Sequence, residues 1–146
     1  MSNGLPDFDL ETYLPYQMTV LAARLSAGLA QRYKSKFGIS IAEWRVLVNV
    51  GYTDCLSVRD IEKRVSLEKS KVSRAASKLE AKGYLIKTVD DKDRRLLRLT
   101  LTPKGVALLQ KLIPLAEEFQ NELRTQLGKH NKGLTSALSA LMTQTD

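Results

Sequence analysis

A chain of 146 residues with a formal charge of +7 and a pI near 9.6 is one domain, or one domain with appended helices. A single cysteine (Cys55) excludes an internal disulfide, and with a single histidine (His130) far from it in sequence no His/Cys metal site is built, so neither metal nor cofactor is expected. No signal-peptide pattern opens the chain and no run of about 18 apolar residues is present, so the expectation is a soluble cytoplasmic protein with no membrane partner.

Residues 1–10 are short, polar and Pro/Gly-containing, as in a loose arm. From residue 10 to residue 37, Leu14, Met18, Leu21, Leu25 and Leu29 recur at helical spacing and predict a long amphipathic helix ending near Gly38. Ser40-Ile41-Ala42-Glu43 has the form of a capping box, in which serine and glutamate each satisfy an exposed backbone donor. It opens a second helix through Trp44, Leu47, Val48 and Val50 to Gly51. Ser57-Val58-Arg59-Asp60 resembles a second such start, and its helix uses Val58, Ile61 and Val65 as core before ending near Ser66. After a brief turn, Val72, Ala75, Ala76 and Leu79 form the apolar side of a further helix, closed by Gly83. Residues 84–89 and 97–101 read as strands, the second alternating apolar and polar residues, with a basic tip at Asp90-Asp91-Lys92-Asp93-Arg94-Arg95. Thr102-Pro103 is an N-cap with a first-turn proline. The helix it opens carries Val106, Leu109, Leu112, Leu115, Phe119 and Leu123, with a kink expected at Pro114. After a turn at residues 128–131, Leu134, Ala137, Leu138 and Leu141 mark a last amphipathic helix.

The excess charge is concentrated. Residues 57–105 hold 14 Lys/Arg against 7 Asp/Glu, so the whole net charge of +7 lies there. Within that segment Ser70, Ser73, Arg74 and Ser77 share the helix face opposite the apolar one, flanked by Lys69, Lys71 and Lys78. Small hydroxyl side chains let a backbone approach base edges, arginine can bond guanine, and lysines meet phosphate on either groove wall. A groove helix followed by a basic hairpin is a winged helix-turn-helix. The fold class is therefore mainly α with a small β-hairpin wing. Residues 1–37 form an arm and dimerisation helix, 38–105 the DNA-binding domain and 106–146 the C-terminal dimerisation helices. No nucleophile with a base, no paired carboxylates and no glycine-rich phosphate loop point to an enzyme.

Three motifs in order resemble the MarR family of transcriptional regulators. The wing signature stands as Asp93-Arg94-Arg95, then residues 96–100, then Leu101-Thr102-Pro103-Lys104-Gly105. The run from Lys69 to Arg74, with Leu79-Glu80 and Gly83-Tyr84, is similar to the family's recognition helix and its exit. Residues 40–47 resemble its second-helix opening. What the resemblance implies is a homodimer on a pseudo-palindromic duplex operator, repressing transcription, with half-sites roughly 34 Å apart. It places Arg95 in the minor groove with Asp93 positioning the guanidinium, and Arg94 at phosphate. It also implies a small-molecule effector, often an aromatic acid, bound between the terminal helices and the reader. Tyr13, Tyr16, Gln17 and Arg24 on the first helix, with Trp44 on the second, are the candidates for that pocket. The open alternatives are an activator of the same architecture and a nucleic-acid-binding protein without an effector. The lone Cys55 lies away from the position of the family's peroxide-sensing cysteine.

Overall fold

The computed structural model describes residues 3–53, 57–65 and 69–144, the side chains of Lys69 and Gln144 excepted. Cys55, and the helix end expected near Ser66, lie outside them. The order is a 3-10 turn (Leu10–Thr12), α1 (Leu14–Phe37), α2 (Ile41–Tyr52), α3 (Val58–Arg64), α4 (Lys69–Ala81), β1 (Leu85–Val89), β2 (Leu97–Leu101) and α5 (Pro103–Leu127). A 3-10 turn (Gly128–His130) and α6 (Asn131–Gln144) complete it.

The helix starts follow from side-chain chemistry. Both boxes are closed: Ser40 Oγ accepts from the Glu43 amide at 3.1 Å and Glu43 Oε1 from the Ser40 amide at 3.2 Å, and Ser57 and Asp60 repeat the pattern. Gly38 and Gly83 have φ of +66° and +86°, the left-handed geometry that ends α1 and the segment after α4. The first helix does not start at residue 10. Pro15 has no amide proton and is accepted in a first helical turn but not deeper, so regular helix begins at Leu14 and residues 10–12 form a separate 3-10 turn. At the other end α5 runs unbroken through Pro114.

β1 and β2 are antiparallel, with Leu85 opposite Leu101 and Val89 opposite Leu97. An isolated bridge joins Ser57 to Arg98, tying the start of α3 to the hairpin. The core gathers Ile39, Val46, Leu47, Ile61, Val72, Ala75, Ala76, Leu79, Leu85 and Leu99, joined by Leu108, Leu109 and Leu112 of α5 and by Tyr33 of α1. The buried stripe of α5 thus begins at Leu108, whereas Val106, expected inside, is exposed. Of the expected α3 core, Ile61 is buried and Val58 and Val65 are half-buried.

Candidate nucleic-acid interface

Helix α4 presents two opposed surfaces. Val72, Ala75, Ala76 and Leu79 are buried, while Ser70, Lys71, Ser73, Arg74, Ser77 and Lys78 are exposed. Burial of the apolar row fixes the rotation of the helix, so the hydroxyl and basic row is held outward. Arg74 folds back on its own helix, its Nε donating to the Ser70 carbonyl at 3.3 Å and its guanidinium to Ser70 Oγ at 3.4 Å.

The joint between α4, the hairpin and α5 explains the end of the wing motif. The Thr102 amide donates to the Tyr84 carbonyl at 3.0 Å, and Thr102 Oγ1 donates to the Gly83 carbonyl at 2.6 Å. The same oxygen accepts from the Gly105 amide at 3.0 Å, capping α5. A Cβ on residue 105 would lie 2.2 Å from the Tyr84 carbonyl oxygen, so only glycine fits where α5 crosses this backbone. Lys104 Nζ donates to the Lys82 carbonyl at 2.7 Å and lies 4.9 Å from the Tyr84 ring centroid. Glu43, buried at the start of α2, accepts from Lys82 Nζ at 2.9 Å through Oε2 and so fixes the exit of α4 from the other side.

At the hairpin tip, Asp90 Oδ1 accepts from the amides of Lys92 (2.7 Å) and Asp93 (3.1 Å). These bonds, the first above all, hold the Asp90 carboxyl below its ordinary range. Asp93 accepts from Arg95 Nε at 3.1 Å and from the Arg95 amide at 3.1 Å. The Arg95 side chain, then its amide, and the more distant charge of Arg59 hold Asp93 low as well. The Arg95 side chain is nevertheless 85 % exposed. A carboxylate that orients a guanidinium without covering it leaves a directed cation at the tip. Arg94 is exposed beside it.

The expected ligand residues are not drawn together within one chain. Tyr16, Gln17 and Arg24 are exposed along α1, and Tyr13, exposed just before the helix start, meets Phe8 edge-on at 5.1 Å. Trp44 stacks obliquely on the buried Tyr33, ring centroids 4.6 Å apart. It lines a cavity of about 60 Å³ with Ser26, Tyr33 and Arg45 between α1 and α2. An open groove of about 810 Å³ adjoins it and is lined by Met18, Ala22, Ser26, Ile41, Arg45 and Lys71, among others. Arg45, which donates to Ser26 Oγ at 3.1 Å, escaped the sequence analysis because a helix-surface arginine carries no signal of its own. Among the described residues no helix is long and apolar enough to cross a membrane, and no cluster of three or more His, Cys, Asp or Glu could hold a metal ion.

The MarR family profile matches residues 37–96, from the end of α1 to the wing tip. The regulator SarZ of Staphylococcus saprophyticus is 29% identical over 90 residues, a stretch covering 62% of this chain and 62% of that protein. A MarR/EmrR family transcriptional regulator from Acinetobacter superposes with a TM-score of 0.73 at 28% identity, over 94% of each chain. BpsR of Bordetella bronchiseptica shares the fold with a TM-score of 0.78 at 22% identity, over 97% of this chain and 100% of that one. These relatives are transcriptional regulators and not enzymes. With the capped helices, the buried and exposed rows of α4 and the glycine-locked wing joint, the likeness to winged-helix transcriptional regulators of the MarR family is one of both sequence and architecture.

Proposed function

We propose that this chain is a homodimeric, sequence-specific DNA-binding repressor released by a small organic acid. The observation that carries the reading is the pairing of an outward hydroxyl and basic row on α4 with an exposed, carboxylate-oriented Arg95 on the wing. Lys69, Ser70, Lys71, Ser73, Arg74 and Lys78 meet the major groove and its phosphates, with Arg74 at a base edge. Ser77 is on the same face, but Lys87 already binds its oxygen. Arg95 enters the minor groove, where a narrow A·T-rich tract concentrates negative potential, while Asp93 positions it and Arg94 meets phosphate. Large apolar side chains left exposed at both ends of the chain, Leu14, Leu21, Leu138 and Met142 among them, supply the dimer interface.

The effector enters between α1 and α2. Trp44, with Arg45 and Lys71 as cations, suits an aromatic carboxylate, and Tyr13, Tyr16, Gln17 and Arg24 join the site from α1 once a second protomer covers that helix. DNA binding by the structural neighbour BpsR is regulated by 6-hydroxynicotinic acid, which makes aromatic acids the first class to screen. Trp44 is the sole tryptophan, so its fluorescence reports occupancy directly.

Selection of duplexes from a random pool, followed by gel-shift titration of the winner and of DNA upstream of the chain's own gene at two salt concentrations, tests the reading. A dimer should bind a pseudo-palindrome tightly, with affinity falling steeply as salt rises. Arg95→Ala should weaken the selected site by roughly 5- to 150-fold, whereas Lys71→Ala should weaken all duplexes alike. Wild-type affinity in Arg95→Ala would remove the wing from the interface.

A further inference from the structure

Residue 87 breaks the pattern of its strand. Leu85, Lys87 and Val89 alternate along one side of β1, with Leu85 buried, and Lys87 lies opposite Leu99, itself buried. A lysine at that position has to lead its charge out along the hairpin, and its side chain is only 17 % exposed. Its Nζ donates to Ser77 Oγ at 2.7 Å and lies 3.9 Å from Glu80 Oε1, while its own amide donates to Glu80 Oε2 at 3.2 Å. Backbone and side chain of one strand residue are thus bound to adjacent turns of α4.

We infer that Lys87 is a positioning residue that clamps the wing to the C-terminal half of α4 through Ser77 and Glu80, leaving only the N-terminal half of that helix to read bases. This rests on the DNA-binding reading above. Bases are contacted chiefly by the first turns of a recognition helix, and there Arg74 bonds only within its own helix, to Ser70, and Ser73 is exposed. Two turns further on, the Ser77 oxygen has an ammonium on one lone pair, so this hydroxyl holds the hairpin instead of searching a groove. The clamp sets the separation between the helix and Arg95. A wing free to swing would spread Arg95 over many positions and lose the ordering that a minor-groove insertion requires.

Two measurements decide it, one without DNA. In the free full-length chain, amide exchange over Leu85–Val89 and Leu97–Leu101 should be several-fold faster in Lys87→Met, and near wild-type rates should return in Lys87→Arg. Unchanged exchange in Lys87→Met overturns the clamp. With the duplex selected by the wild type, Lys87→Met and Glu80→Gln should each bind about two- to fivefold more weakly, and the double variant no more weakly than either. The salt slope should stay at its wild-type value while minor-groove protection at the wing fades and major-groove protection persists. Additive losses, or a slope smaller by about 1 in Lys87→Met, would make Lys87 a phosphate contact and overturn the inference. A wild type that selects no duplex refutes the DNA-binding reading instead, and the exchange measurement still decides the clamp.

Discussion

The middle of this chain closes on itself and its ends do not. From Ile39 to Leu112 every described element contributes to one buried cluster, including both strands and the first half of α5. The first helix adds Tyr33 to that cluster, with Leu29 and Phe37 half-buried against it, and α6 adds nothing. At the ends Leu5 is 73 % exposed, Leu14 49 % and Met142 73 %, values that belong to unfinished surface rather than to core. Contacts between α1 and α5 exist, with Arg32 paired to Glu122 and set 4.8 Å above the Phe119 ring, but they join half-buried and exposed groups and no fully buried one. The middle therefore buries one continuous core, although Tyr52, Ile86, Val89 and Leu97 at its surface stay exposed. The terminal helices leave large apolar side chains uncovered within the chain, the surface on which the proposed dimer rests.

The contrast makes opposite demands on mutation. Leu47→Ala removes a fully buried side chain from the middle of the core and should cost about 3–4 kcal/mol in denaturant unfolding, through lost burial and the remaining cavity. Replacing Leu138 and Met142 together by glutamate should leave the reader's core intact. It should weaken self-association by roughly 30- to 150-fold, from the loss of about 2–3 kcal/mol of apolar burial at the interface. Sedimentation at concentrations where the wild type is dimeric checks this, and a dimer of unchanged strength would place the interface elsewhere.

What sequence could show divides along the same line. The capping boxes at Ser40 and Ser57, the cap at Thr102 and the left-handed Gly38 and Gly83 are local devices, and each appears where spacing alone placed it. Pro15 was an equally local signal, and it limits α1 to a start at Leu14. Contacts across the fold had no such signature. Glu43 reaches Lys82 across 39 positions, Ser57 bridges to Arg98, and Lys87 reaches back to Ser77. Periodicity reports which face is apolar but not what the other face touches. For that reason the outward row of α4 was legible as a face, while the ligand candidates on α1 are exposed and are not drawn together within one chain.

A smaller effect belongs to the wing tip, which lies outside the core and is held by charge. Asp90 and Asp93 are stabilised as carboxylates, by the Lys92 amide and by the Arg95 side chain respectively. A carboxyl whose pKa is lowered on folding contributes its full stabilisation above the ordinary carboxylate value, about 3.9, and loses it as pH falls through the lowered one. The side-chain carboxyl resonances of Asp90 and Asp93 should therefore hold their positions from neutral pH to about pH 5 and shift only below the ordinary carboxylate range. An Asp93 carboxyl that titrates at that ordinary value would mean that Arg95 is not held by Asp93 in the free protein.

Tyr33 supplies the smallest expected change and the sharpest test of where the two regions meet. It is the fully buried residue that α1 adds to the shared core, packed against Trp44, and its hydroxyl has no hydrogen-bond partner among the described residues. Burial raises its pKa above the ordinary phenol value. Since unfolded tyrosine ionises near pH 10 and the folded one keeps its proton, its contribution to stability is complete below about pH 10 and is lost as pH rises. Tyr33→Phe keeps the ring contact and removes a hydroxyl whose desolvation is not compensated, so stability should change by less than about 1 kcal/mol at neutral pH and should rise if it moves at all. The alkaline end of the stability profile should flatten in the same variant. A loss of more than about 1 kcal/mol would show instead that the hydroxyl is bound, which would make the small cavity beside Arg45 a polar joint between the terminal helix and the reader.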